Sequence, residues 1–266
     1  MDELVIDHSV LLQLALGAAR AAGEVARKGW RKHPASSHKG RIDLVTQFDL
    51  DSEALLRDWL AASSFPVVGE ERGGLRAEGP DAPTWYVDPI DGTTNFVHGH
   101  PFWCVSVGLT VGDRPLLGAV VAPALGVEWT GVAGGAALRN GEPCRVSDVD
   151  RFDDSLLATG FPYDRHTNPD NNFDAFVAIK RKCQAVRRCG SAAIDICLVA
   201  DGTYDGYWEK KVKPWDVAAG SAILLAAGGR VTGYEGAPME VTSGQVVATN
   251  GRIHDTLVAE LSALRV

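Results

Sequence analysis

A chain of 266 residues, 45% hydrophobic and 23% charged, has the make-up of a soluble globular protein that buries a full core, as one large domain or two fused halves. Its formal net charge of −8 argues against a nucleic-acid binder, which needs clustered Lys and Arg; the basic run Lys180-Arg181-Lys182 with Arg187-Arg188 reads as a solvated helix face. Five cysteines without a C-x-x-C pair read as reduced, mostly buried thiols. The acidic start Met1-Asp2-Glu3 and an apolar stretch broken by Gln13, Arg20 and Glu24 predict neither a signal peptide nor a membrane span, so the expected compartment is cytoplasmic.

Over residues 9 to about 30, Leu12, Ala15, Leu16, Ala19, Ala22, Val25 and Ala26 recur at helical spacing, which predicts an amphipathic first helix. Residues 33–43 are polar and basic and read as a mobile loop, where Lys39 is by default a solvated charge. A second helix is predicted over 49–62 with Asp49 as its N-cap, and a buried strand over 65–69 ending in Glu70-Glu71.

Trp85-Tyr86-Val87 then reads as a short buried strand entering Asp88-Pro89-Ile90-Asp91-Gly92-Thr93-Thr94-Asn95. Pro89 biases Asp88 toward extended geometry, and Gly92 lets the chain turn into a segment whose first amides, at Thr93 and Thr94, are free for a phosphate. Two carboxylates beside an anion-binding turn suit a divalent metal, with Mg²⁺ the best fit because it takes carboxylates together with substrate phosphate. The plainer alternative is that Asp-Pro and Asp-Gly are turn formers only.

Residues 104–109, 116–122 and 126–132 predict an antiparallel meander, and His98 and His100 before it read as surface residues. Beyond residue 149 strands and helices alternate: a strand at 156–158, a helix near 173–182, Gly190-Ser191-Ala192-Ala193 opening a helix through 198, and a strand at 204–208. An apolar helix over 216–227 follows, with Asp216 in the N-cap position, then strands at 231–232 and 246–248 and a helix near 255–264. There is no repeat or long linker. The pattern is an α/β chain with a sheet in each half, 1–149 and 150–266.

Three blocks, Val68-Gly69-Glu70-Glu71, the Asp88 to Asn95 corner and Lys213-Pro214-Trp215-Asp216-Val217-Ala218-Ala219-Gly220, resemble the inositol monophosphatase family from about residue 39 to about 229. The resemblance implies a layered α-β-α-β-α sandwich whose halves meet at a metal site, with most ligands in the first half. It implies that Glu70, Asp88 and the Ile90 carbonyl hold a first Mg²⁺, and that Asp88, Asp91 and Asp216 hold a second. A third, weaker ion would lie near Glu70. Thr93, oriented by Asp49, would position the attacking water. The Gly92, Thr93 and Thr94 amides would hold phosphate oxygens, Ala193 and Asp216 would line the substrate pocket, Glu209 would accept a substrate hydroxyl, and Lys39 would sit on a flap.

Magnitude favours a metal mechanism: enhancements for phosphate-monoester hydrolysis approach ~10²¹, roughly 28 kcal/mol, whereas one positioned base supplies only ~10²–10⁴. The implied activity is Mg²⁺-dependent, lithium-sensitive hydrolysis of a small polyol phosphate such as myo-inositol 1-phosphate by a homodimer without nucleic-acid or membrane partners. The same chemistry on fructose 1,6-bisphosphate, histidinol phosphate or a nucleotide 2′- or 3′-phosphate is the nearest alternative. A regulatory binding protein without turnover is the alternative of another class.

Overall fold

The computed structural model describes residues 7–264, so the reading of Met1-Asp2-Glu3 falls outside the described residues. Helix α1 (His8–Arg27) is capped by Asp7, whose carboxylate accepts from the Ser9 amide at 2.9 Å. Residues 33–43 are not a featureless loop. Strands β1 (Ser36–His38) and β2 (Leu44–Thr46) pair antiparallel, and Lys39 begins the turn between them.

Helix α2 (Gln47–Leu60) starts two residues before the predicted position, because Thr46 and not Asp49 is its N-cap. Asp49 is instead the third residue of the helix and accepts from the Thr46 amide at 2.8 Å, a reciprocal capping box.

Strands β3 (Val67–Gly69), β4 (Pro83–Asp91), β5 (Cys104–Val111), β6 (Arg114–Ala122), β7 (Val127–Val132), β8 (Ala137–Arg139) and β9 (Glu142–Cys144) form one sheet in sequence order. Short helix α3 (Thr93–Val97) leaves the end of β4. All pairs are antiparallel except β3 with β4. The predicted meander is present. Strand β4 carries nine residues where three were expected, and β8 and β9 had no predicted counterpart.

The second half contributes β10 (Leu156–Thr159), α4 (Phe173–Lys180), β11 (Ala185–Arg187), α5 (Ala192–Ala200), β12 (Gly206–Lys210), α6 (Pro214–Ala226), β13 (Arg230–Thr232), β14 (Gln245–Thr249) and α7 (His254–Ser262). Its sheet has the order β11-β10-β12-β14-β13, parallel among the first three and antiparallel at β14. The predicted strand at 204–208 is shifted, so Glu209 lies inside β12. Pro214 opens α6, which suits a residue without an amide hydrogen, and moves Asp216 from the predicted N-cap to the third helical position.

Three apolar seams stack these elements into five layers. Leu16 and Leu56 from α1 and α2 pack with Trp85, Val107 and Leu109 on one face of the larger sheet. Ala219 and Ile223 of α6 and Ile196 of α5 fill the space between the two sheets. Ile179 of α4 and Leu257 of α7 cover Leu157, Trp208 and Val247 on the outer face of the smaller sheet. The result is the α-β-α-β-α sandwich that the motifs implied.

The approach of α6 to the larger sheet is closer than side chains allow. Gly108 and Gly118 face each other across β5 and β6, and a Cβ on either would lie 2.5 Å from Ala219 N or 2.3 Å from Ala219 O. A methyl group at either position would have to push α6 away, at about 1–3 kcal/mol. This seating carries the first turn of α6, with Asp216, toward the end of β4.

All five cysteines are free thiols, with Cys104 and Cys197 buried. Among the described residues no helix is long and apolar enough to cross a membrane.

Candidate active site

Asp88 and Asp91 are three residues apart, so in a regular strand they would point to opposite faces. They do not, because Asp88 pairs with Ser106 while Asp91 pairs with Cys104: three steps on β4 match two on β5. The extra residue is a bulge that returns both carboxylates to one side. Gly92 follows with φ 100°, where a Cβ would come within 3.0 Å of Phe102 O and 3.1 Å of Gly190 O. Glycine is required there by backbone conformation and by space.

The turn delivers Thr93, whose Oγ1 lies 3.2 Å from Asp49 Oδ1 and 3.1 Å from Ile90 O. Asp49 is fully buried, and burial pushes its pKa up to about 6 against the lowering effect of Thr46 and Thr93. One carboxylate therefore caps α2 through Oδ2 and holds Thr93 through Oδ1.

Glu70 and Glu71 follow β3 in a loop built on a fully buried acid, Glu53. Its carboxylate accepts from the amides of Glu71 (2.7 Å) and Arg72 (3.1 Å) and from Arg57 Nε (2.8 Å). Gly69 makes the room, since a Cβ there would lie 2.5 Å from the Glu53 carboxyl carbon. Lys39 reaches in from the β1–β2 turn, its Nζ 2.7 Å from Glu70 Oε1 and 2.9 Å from Glu71 Oε1. Burial acts to lower the Lys39 pKa, but the two glutamates outweigh it and hold the ammonium charged.

The second half closes the site. Asp91 Oδ2 accepts from Ser191 Oγ and from the Ala193 amide, both at 2.7 Å, and Asp216 Oδ2 accepts from the Lys213 amide at 2.7 Å. Asn95 ties the halves together through Phe102 O (2.6 Å) and Cys189 O (2.9 Å). Glu209 accepts from the Tyr207 hydroxyl and fits only because residue 160 is glycine: a Cβ there would lie 2.1 Å from both carboxylate oxygens. Burial pushes the Glu209 pKa up to about 7, with Tyr207 and Arg188 acting the other way.

Lys39, Glu70, Asp88, Ile90, Asp91, Gly92, Thr93, Glu209 and Asp216 thus border one cleft of about 260 Å³. A wider groove of about 730 Å³ beside Arg139 and Cys144 brings none of these residues together.

The electrostatics of the cleft call for a cation. Burial first, then the charges of Glu70, Asp91 and Asp216, push the Asp88 pKa well above the carboxylate range. Asp216 is raised by burial, Asp91 and Glu70, and Asp91 by burial to about 6. Each acid commits one oxygen to the protein: Asp88 Oδ1 to the Ile90 amide, Asp91 Oδ2 to Ser191 and Ala193, Asp216 Oδ2 to Lys213, and Glu70 Oε1 to Lys39.

Glu70 and Asp88 further share a side-chain hydrogen bond, and the Lys39 ammonium on Glu70 is a stand-in for bound positive charge. Among the described residues no three such side chains already converge on one point. The set is therefore open, and it fits a hard cation that keeps part of its water.

Two expected site residues sit differently. Ala193 is fully buried behind the cleft and serves Asp91 through its amide, while Ala192 lines the wall. Thr94 is exposed and does not border the cleft. Arg188, read as part of a solvated face, lines the cleft; Ser191 is legible in the sequence only as part of the segment that opens a helix, and nothing there marks Glu53. A serine before a helix reads as an N-cap, which Ser191 is, and nothing local shows that its hydroxyl also reaches Asp91. His98 and His100 are exposed, as expected.

A layered sandwich with an oxygen-only acid cluster where its halves meet, beside a buried Thr-Asp pair and a tight glycine turn, defines a phosphatase of the phosphoric monoester hydrolase class. The chain belongs to the inositol monophosphatase family, whose model matches residues 7–265. That family is metal-dependent. The inositol-1-monophosphatase of Synechocystis sp. is 40% identical over 261 residues, spanning 97% of this chain and 90% of its own. The solved inositol monophosphatase of Anabaena (Nostoc) sp. is 39% identical, superposes with a TM-score of 0.87 and covers 96% of each chain. A Nus factor SuhB of Pasteurella multocida is 37% identical over 248 residues, 91% of this chain and 92% of its own.

Proposed function

We propose that this enzyme hydrolyses the phosphate of a small polyol phosphate, myo-inositol 1-phosphate foremost, with Mg²⁺ as its metal. The observation that carries the reading is the gathering of Glu70, Asp88, Asp91 and Asp216 on the border of one cleft together with Glu209. Glu70, Asp88 and the Ile90 carbonyl would hold one ion, Asp88, Asp91 and Asp216 a second, and Glu70 would share a weaker third. Such ions neutralise the phosphate and make water a stronger nucleophile at neutral pH.

The chain's own groups do the rest. Thr93 donates its hydroxyl hydrogen bond to Asp49, which leaves its lone pairs to orient the attacking water. The Gly92 and Thr93 amides face the phosphate, and Glu209 takes a hydroxyl of the leaving polyol. Lys39 is a flap cation that reaches Glu70 and Glu71 at the cleft. We place the protein in the cytoplasm as a homodimer whose two halves, 1–149 and 150–266, make one catalytic unit.

The test is turnover of purified protein with Mg²⁺ on inositol 1-phosphate, fructose 1,6-bisphosphate, histidinol phosphate and a nucleotide 2′-phosphate. Fastest kcat/KM on inositol 1-phosphate supports the reading. Turnover of none would favour a regulatory binding role, the reading to which the SuhB relative's name points.

Glu209→Gln is expected to lower kcat/KM for a polyol phosphate about tenfold more than for an aryl phosphate that lacks the hydroxyl, because an amide accepts less strongly than a carboxylate. Equal losses on both would assign Glu209 to general electrostatics. Lithium is expected to inhibit uncompetitively with respect to substrate. It prefers oxygen ligands but carries half the charge, so in the position bordered by Asp88, Asp91 and Asp216 it would retain phosphate after the alcohol leaves. LiCl titrated at several substrate concentrations, against KCl of equal ionic strength, checks this; inhibition relieved by substrate would overturn it.

A further inference from the structure

Asp195, the fourth residue of α5, is 1% exposed, and its Oδ1 has no hydrogen-bond partner. Among the described residues it is the one buried carboxylate oxygen left in that state. A buried acid without a partner costs about 1–3 kcal/mol or more, so its presence calls for a reason outside the folded chain's own bonding. The reason is its position. Asp195 borders the same cleft as Glu209 and Arg188, and none of the roles given to the acid cluster uses it.

The surroundings say what it would meet. At the start of α5 the Ser191 hydroxyl and the Ala193 amide both donate to Asp91 Oδ2, so these donors are spent on Asp91 and not on Asp195. On β12 the Tyr207 hydroxyl is donated to Glu209. Asp195 Oδ1 is therefore left without a donor from the chain, on a residue that borders the same cleft as Glu209. Burial first, then the charges of Glu209 and Asp91, raise its pKa against the pull of Arg188. A second carboxyl group in the cleft that holds Glu209 complements two hydroxyls of one polyol, each of which both donates and accepts.

We propose that Asp195 is a second specificity-determining residue, which binds a further hydroxyl of the polyol beside the one taken by Glu209. The inference rests on the polyol phosphate reading given above. It also predicts a trade of stability for recognition, since removing an unpartnered buried carboxyl relieves a cost in the free protein.

The experiment compares wild type with Asp195→Ala and Asp195→Asn in the presence of Mg²⁺. The substrates are inositol 1-phosphate and cyclohexyl phosphate, which has the ring but no hydroxyls. For Asp195→Ala the ratio of kcat/KM between the two substrates is expected to fall about tenfold, through KM for inositol 1-phosphate, with Tm equal to or above that of wild type. Asp195→Asn keeps a donor and is expected to restore the ratio to within about threefold. If Asp195→Ala does not fold, Asp195→Leu, of similar volume and without a polar atom, gives the same readings.

An unchanged ratio, or a lowered Tm with equal losses on both substrates, would overturn the role of Asp195. A wild-type enzyme with no preference for inositol 1-phosphate over cyclohexyl phosphate would instead overturn the substrate reading on which it rests.

Discussion

Asp91→Asn is expected to lower kcat about 10³-fold or more while the protein keeps its fold. The charge removed would otherwise help to hold the second cation and through it the transition-state charge, an effect of several kcal/mol, and each 1.36 kcal/mol is about a decade in rate. The fold survives because Asp91 meets the protein through Oδ2 alone, which accepts from Ser191 Oγ and the Ala193 amide at 2.7 Å each. The asparagine carbonyl can take that place, turning its NH₂ toward the cleft. Loss of one charge from a buried acid cluster also lessens repulsion with Asp88 and Asp216, so Tm at neutral pH is expected to hold or rise. Steady-state kinetics over a wide Mg²⁺ range with thermal melts check both parts. Near-normal kcat at saturating Mg²⁺ would remove Asp91 from the reacting site.

Thr93→Ala is expected to lower kcat about 10²- to 10³-fold with KM changed less than about threefold. The hydroxyl has one proton, and its two acceptors within reach are Asp49 Oδ1 at 3.2 Å and Ile90 O at 3.1 Å. Donation to either leaves the oxygen lone pairs as the acceptor for a water hydrogen, an interaction that matters as the water attacks and little to substrate already bound. Presteady-state and steady-state kinetics with inositol 1-phosphate separate the two constants. A rise in KM alone would show that Thr93 binds phosphate and does not orient water.

Much of this site could be read in one dimension. The strand-turn-helix sense of residues 85–95, the acidic end of the 65–69 strand and the aspartate opening the apolar 216 helix are local patterns, set by backbone preference and apolar spacing. Other features resisted for reasons equally physical. By residue type Asp49 and Asp216 look like N-caps, whereas each stands at the third helical position and bonds back to the amide of the capping residue at 2.8 and 2.7 Å. Both placements satisfy the same free amides, so residue type alone does not separate them. The 33–43 segment lacks apolar alternation, yet forms a hairpin whose turn begins at Lys39, the residue that reaches Glu70 and Glu71.

Residue types and their order therefore decided which segments become strands and helices and which acids stand at their ends. Whether those acids meet was decided by contacts between residues distant in the chain. Asp88 and Asp91 share a face only because β4 bulges against β5, a mismatch of register between two strands. Asp216 arrives beside them because glycines facing each other on β5 and β6 let α6 sit on the sheet without side chains between. Arg188, Ser191 and Asp195 enter from the second half, which is held to α3 by Asn95. Local energetics acts over a few residues and is written in the run of the sequence; packing acts between surfaces that exist only once both partners have folded.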